Sequence, residues 1–365
     1  MRRVIGHVWA LLHRPRTCFT VEPVLFLFMF ATFLSYSSFQ QLVHSLVCQQ
    51  TPNCMLNRTL HHCQQNLSNT SWDEQEVQSK SSHWILYINL ASGIPAILVS
   101  LFYGSLSDQV GRRFFIVLPA LGSAMNAAVV LVVAYQNTIP IHFFLLGAFV
   151  SGLYGGFSVI NLAAYSYGSD ISNLASRTWQ IGILESMTFM GSTLSLIVGG
   201  VWIKAEGFVP PFWCVVACQI AIIIYTITFL PESLRSRGDG PSFRTLPAKC
   251  LNNLVGFGKL FLRSWKMILL LITFFVVEIN FLGITDTVIL FALGHPLCWS
   301  SDLIGYFLAL KVFLNGFATL FILPFLVYLT VSDTLIILVG MVAGATALVI
   351  MGLATQSWMM FIGIC

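Results

Sequence analysis

Nine apolar runs, each long enough to cross a bilayer, recur along the chain at 23–43, 84–107, 114–135, 139–166, 178–203, 209–230, 267–293, 302–329 and 333–354. A hydrocarbon core of ~30 Å needs about 20 residues of helix, and in lipid a backbone must satisfy its own hydrogen bonds. Each run is therefore predicted to be a transmembrane α-helix. Composition agrees: of 365 residues, 57% are hydrophobic and only 9% charged, whereas soluble domains carry about 25%. A tenth run opens at Ser357, and the sequence stops at Cys365. An all-α membrane helix bundle is expected, with nine full spans and part of a tenth, truncated within that helix.

Charge placement predicts orientation. Basic residues precede the first run (Arg2, Arg3, Arg14, Arg16), follow the second (Arg112, Arg113) and the fourth (Arg177), and crowd the stretch after the sixth (Arg235, Arg237, Arg244, Lys249, Lys259, Arg263, Lys266). If every run spans, all of these share one side, which the positive-inside rule makes cytosolic. The chain then divides into a cytosolic tail at 1–22, a six-helix bundle at 23–230, a cytosolic linker at 231–266 and a partial second bundle at 267–365. The formal charge of +4 is dispersed through loops, so no nucleic-acid partner is expected.

The opposite face is predicted to be oxidising. An outer loop at 44–82 carries three N-x-[ST] sequons, at Asn57, Asn66 and Asn69, a pattern modified only in the lumen or outside the cell. It also holds Cys48, Cys54 and Cys63, and Cys298 lies beyond the seventh run on the same side. Four cysteines allow three pairings, which spacing leaves open. Cys214 and Cys218 are read as packing residues, since a metal site needs more ligands. There is no nucleophile elbow, phosphate loop or metal-binding helix motif, so neither an enzyme nor a cofactor is expected.

Charged and polar groups inside the runs mark a path. Glu185, Thr188, Ser192, Ser195 and Gly199 recur at spacings of three and four, which places them on one helical face. An ionisable group in mid-membrane normally faces a cavity or a partner, so this face is expected to line a wet path with Glu185 exchanging a proton. In the fourth run Tyr154, Ser158, Asn161 and Tyr165 form a similar line. The seventh run holds Glu278 and Asp286, and in the eighth Lys311 and Asn315 share a face. A lysine at that depth is expected to meet a carboxylate, with Glu278 the nearest candidate, or an anionic substrate.

The break "GSLSDQVGRR" at 104–113 supplies Gly104, Asp108, Gly111, Arg112 and Arg113. It fits G-x-x-x-D-x-x-G-R-[RK] and resembles the signature between the second and third helices of the major facilitator superfamily. The glycines permit a tight turn and close helix approach, while Asp108 can bond an arginine or a helix start. Such a cluster is expected to act as a conformational latch. "LPESLRS" at 230–236 also looks like a facilitator helix ending. "VEP" at 21–23, "SHWILYIN" at 82–89, "SRTWQIGILE" at 176–185, "EGFVPPFW" at 206–213 and "PLCWSSDLIGY" at 296–306 narrow the resemblance to the proton-coupled folate transporter family.

That resemblance implies a facilitator bundle of twelve helices, a proton-coupling role for Glu185, a family aspartate at Asp286, and disulfides pairing Cys63 with Cys298 and Cys48 with Cys54. The chain departs from the family pattern at Phe281, Pro247, Gly156, Ala148 and Lys311. The implied function is proton-coupled symport of a small organic anion such as folate by alternating access, in the plasma membrane with the N-terminus cytosolic. Two alternatives stand beside it: an endolysosomal transporter of muropeptides or cyclic dinucleotides, and a transporter-like receptor without flux. The expected partners are the anion, protons and the lipid bilayer.

Overall fold

The computed structural model describes residues 20–50, 71–136, 140–173, 177–233, 265–293, 297, 299–322, 326, 329 and 333–363. Almost all of the predicted tail and linker, the three sequons, and Cys54, Cys63 and Cys298 lie outside these residues. Cys48 is disulfide-bonded, with a partner also outside them.

Helices follow the apolar runs. The first bundle comprises α1 (Glu22–Gln50), α2 (Ser71–Val110), α3 (Arg112–Tyr135), α4 (Phe143–Leu153), α5 (Gly156–Ile171), α6 (Arg177–Glu206) and α7 (Val209–Thr228). Then come α8 (Trp265–Leu293), α9 (Ser301–Phe317), which widens into a π-helical turn over Ala318–Ile322, α10 (Asp333–Gly352) and α11 (Ser357–Ile362). Among the described residues, seven helical stretches are long and apolar enough to cross a membrane. They coincide with seven of the nine predicted spans, and α8 and α9 occupy the other two. The apolar side chains of α10, including Leu338, Val342 and Val349, stand exposed, as lipid permits.

The structure differs from the predicted boundaries in two places. First, the loop expected at 44–82 is helical at both ends, because α1 continues to Gln50 and α2 begins at Ser71. No glycine or proline interrupts 43–50, and 71–82 is rich in Glu, Gln and Lys, all strong helix formers. Glu76 and Lys80 add an ion pair of 2.6 Å one turn apart. Second, the fourth span is not one helix. It breaks at Tyr154 and Gly155, between α4 and α5, where Gly155 and Gly156 take φ of +84° and +46°. Only glycine adopts such angles at little cost, and the adjacent pair supplies the break.

Small residues bring the helices to backbone distance, the packing mode that lipid favours. A Cβ at Gly191 on α6 would sit 2.6 Å from the carbonyl oxygen of Phe26 on α1. Farther along α6, Gly200 faces Gly305 of α9; a Cβ at Gly200 would lie 2.7 Å from the carbonyl oxygen of Ser301, and one at Gly305 would lie 2.6 Å from that of Leu196. Thus α6 is clasped by α1 on one side and α9 on the other. At the α9 end, Trp299, Phe307 and Phe361 pack ring against ring.

Gly200→Ala is expected to destabilise the purified protein by about 1–3 kcal/mol, because the clashing atoms are backbone and cannot swing aside. Gly93→Ala, where nothing lies within 4 Å, is expected to be neutral or stabilising. Thermal unfolding in detergent checks both, and equal midpoints for the two variants would contradict the packing account.

Candidate functional site

At one end of the bundle, Gly111 ends α2 and opens α3 with φ of +125°, a backbone angle that demands glycine. The turn delivers Arg112 inward, where it is 8% exposed. Its Nη1 donates to Ser107 Oγ at 2.6 Å, its Nε donates to Asp170 Oδ2 at 3.0 Å, and its Nη2 pairs with Asp108. The backbone N–H groups of Arg112 and Arg113, at the start of α3, donate to the Glu232 carboxylate at 2.8 and 3.4 Å. A carboxylate placed there meets both the orphan amides and the positive end of the helix dipole. The Arg113 guanidinium donates to the carbonyl of Ile227, and Ser233 Oγ donates to Asp170 at 3.3 Å.

Three expectations for this motif are refined. Asp108 does not hold the start of α3; Glu232, in the segment after α7, does so. Gly104 has only an ordinary contact beside it, 3.5 Å from a leucine methyl, so its expected close approach is absent. Every described partner of Arg112 lies within the first six spans, so the cluster braces α2, α3, α5 and the end of α7 as one body. Asp170 drew no attention in the sequence, where it is one acid at the end of an apolar run; only folding brings it beneath Arg112. Glu22, which the sequence offers only as part of the VEP stretch and without a role, is wholly buried at the start of α1. It accepts from the Thr20 N–H at 2.6 Å and from Gln180 Nε2 at 2.5 Å, tying α1 to α6.

Five residues before Asp170 along α5, the Tyr165 hydroxyl donates to Glu185 Oε1 of α6 at 2.8 Å. The two lines of polar residues predicted on the fourth and fifth spans therefore meet at this pair. They do not run the full length expected of them. Ser192 and Ser195 are buried, and their hydroxyls donate to Thr188 and Ser192 carbonyls of their own helix at 2.6 and 2.8 Å. Thr188 likewise bonds the Leu184 carbonyl at 3.2 Å. These three hydroxyls are thus satisfied within α6 itself. Tyr154 lies in the break itself, outside the helix that carries Ser158, Asn161 and Tyr165, so the four do not sit on one continuous helix. Ser158 is exposed, and Asn161 Oδ1 is buried without a hydrogen-bond partner.

A cavity of about 230 Å³ lies within the first bundle, bounded by α1, α2, α3, the α4–α5 break and α7. Ser35, Tyr36, Asn89, Ser92 and Ser151 contribute to its wall. In the second half, Lys311 is half-buried and Asn315 exposed on α9. Glu278 and Asp286 fall on α8, with side chains outside the described residues. At the end opposite Arg112, Lys204 Nζ of α6 meets Asp302 Oδ2 of α9 at 2.7 Å, and Gln78 Nε2 of α2 donates to the Leu290 carbonyl of α8 at 3.2 Å. Both contacts join the first half of the chain to the second. Among the described residues, no group of three or more His, Cys, Asp or Glu is placed to hold a metal ion.

No family model matches the chain. It is 30% identical over 347 residues to the proton-coupled folate transporter of Rattus norvegicus, covering 94% of this chain and 73% of that one. It is 26% identical over 359 residues to the lysosomal proton-coupled steroid conjugate and bile acid symporter of Homo sapiens, covering 94% and 76% respectively. The crystal structure of the human organic anion transporter MFSD10 matches with a TM-score of 0.64 and 16% identity, over 94% of this chain and 80% of that one. At that identity the likeness shows the fold alone.

Arg112→Ala strips a buried charge from two carboxylates and is expected to cost about 3–5 kcal/mol of stability. Arg112→Lys keeps the charge but cannot bridge Ser107, Asp108 and Asp170 at once, so it should fall between wild type and Arg112→Ala in thermal unfolding. A lysine variant as stable as wild type would show that charge alone matters there.

Proposed function

Because the chain belongs to the proton-coupled folate transporter family of the major facilitator superfamily, we propose that it is a symporter moving a small organic anion, such as folate, together with protons. Membership makes it a multi-pass membrane transporter of facilitator architecture and not an enzyme. The observation that carries the proton-coupling reading is the bond between Tyr165 and Glu185. In this contact a carboxylate, half-buried well inside a span, is held by a neutral donor from a neighbouring helix. As a carboxylate, Glu185 is a pure acceptor and its bond to Tyr165 is charge-assisted; on taking a proton it loses that charge and gains a donor. Protonation therefore loosens the tie between α5 and α6 and changes which contacts each helix prefers.

Alternating access follows from the two ends. Lys204–Asp302, Gln78–Leu290 and the Gly200–Gly305 approach hold the halves together opposite Arg112, which closes that mouth. Opening it requires parting these contacts while the Arg112 cluster keeps the first bundle rigid, a rocking of one body on another. In this reading the Arg112 end faces the cytosol, and Glu185, Tyr165 and Lys311 border the route of the anion.

The lysosomal relatives favour a second reading of the cargo and the membrane: a steroid conjugate or bile acid carried by the same proton-coupled cycle in lysosomes. Uptake into sealed vesicles bearing the purified protein, with an acid outside and with the gradient collapsed, tests the mechanism for either cargo. Coupling between two ligands of one transporter is typically about 5- to 150-fold, so the gradient should raise anion uptake by a factor in that range, and Glu185→Gln should lose the increase. Gradient-independent uptake in wild type, or an undiminished gradient effect in Glu185→Gln, would overturn proton coupling through this residue.

A further inference from the structure

The cavity in the first bundle has a wall with no stated task. Gln219, at mid-length of α7, lines it and is 0% exposed, and neither its amide nitrogen nor its amide oxygen has a hydrogen-bond partner. A buried amide left unsatisfied on both atoms is costly, and native structures keep few such groups without a purpose. Gly156 and Phe157, the first residues of α5, line the same space, and no side chain caps that helix start. The leading N–H groups of a helix lack intrahelical partners and carry its positive dipole end. A glutamine offering one donor and one acceptor thus shares a cavity with a helix start offering donors.

The remaining wall restricts what could satisfy these groups. Phe28, Phe39 and Phe157 present aromatic surface, Asn89 and Asn126 add two further neutral amides, and none of the described lining residues is charged. A carboxylate or ammonium there would lack a counter-charge in a low-dielectric setting. A flat, uncharged group with adjacent acceptor and donor would stack on the rings and complete the polar atoms. We infer that this cavity is a subsite for an uncharged planar amide or lactam of the transported molecule, its hydrogen-bonding edge met by Gln219 and the first turn of α5. The inference deepens the anion-symport reading and rests on it: the charged end of the molecule stays on the Glu185 and Lys311 route, and its neutral planar end enters the first bundle at the helix break.

The test uses the full chain in sealed proteoliposomes with an inward proton gradient. The probes are folate, which carries a ring lactam, its 4-amino analogue, in which the lactam oxygen is replaced by an amino group, and cholate, an anion with no lactam. Wild type should take up folate about tenfold faster than the analogue, the discrimination one well-placed hydrogen-bonding group gives. In Gln219→Leu the ratio should fall to about one. That variant should also raise the unfolding midpoint of the ligand-free protein, since it removes an unsatisfied buried amide; Gln219→Met is the second variant if the leucine form does not fold. A wild-type ratio near one, a ratio preserved in both variants, or gradient-driven uptake of cholate with none of folate would overturn the subsite while leaving anion symport standing. Absence of gradient-driven uptake for every probe would instead sink the symport reading and the subsite with it.

Discussion

Helix α6 approaches α1 and α9 at backbone distance because Gly191 and Gly200 carry no side chain there, and most of the arrangement follows from that clasp. In lipid, apolar side chains gain nothing by leaving one greasy surface for another, so helices associate through close van der Waals contact and a few polar bonds. The clasp supplies the contact. Glu22 with Gln180, Tyr165 with Glu185, and Lys204 with Asp302 supply the bonds along the same helix. Because α6 touches both halves of the chain, the carboxylate it carries at position 185 is coupled to whatever moves one half against the other.

Arg112 does a different job. Its guanidinium is satisfied three ways from two helices, and the carboxylate of Glu232 caps the helix that Arg112 begins. A side chain with fewer donors could not close this cluster, and a buried charge with fewer partners would not be stable. The cluster makes a rigid body of the first bundle at one end, so motion concentrates at contacts between the halves. Halfway along, the break between α4 and α5 works the other way. It interrupts a helix where polar backbone is tolerated only if it borders a cavity or protein, and a cavity is found beside it.

The spans were plainly legible, since a run of about 20 apolar residues has few alternatives to a membrane helix. The ends of α1 and α2 were not, because amphipathic segments such as 71–82 give no hydropathy signal, and their helicity rests on good formers and the Glu76–Lys80 pair. The glycine pair at 155 and 156 was visible as a possible interruption; reading hydropathy alone across 139–166 hid it. Of the site, Glu185 and the Gly111–Arg112 turn could be found from an acid inside an apolar run and from a motif. Asp170 and Gln219 could not be singled out, and Glu22 stood out only as part of the VEP stretch, with no sign of its partner Gln180. An acid near a helix end and a glutamine in a span are unremarkable until their neighbours are known.

From the order of its residues alone, this chain was bound to be a bundle of membrane helices with a tight glycine turn before two arginines and at least one acid sunk in lipid depth. Hydropathy and backbone sterics act within a few turns of helix, so a linear text contains them. Which acid would meet Arg112, which tyrosine would hold Glu185, which serines would turn back on their own helix, and where a hollow would remain beside an orphaned amide were decided only by the folded arrangement. Those outcomes depend on which helices lie side by side and how closely their backbones approach, and distances of that kind between residues far apart in the chain come into being only when the helices pack.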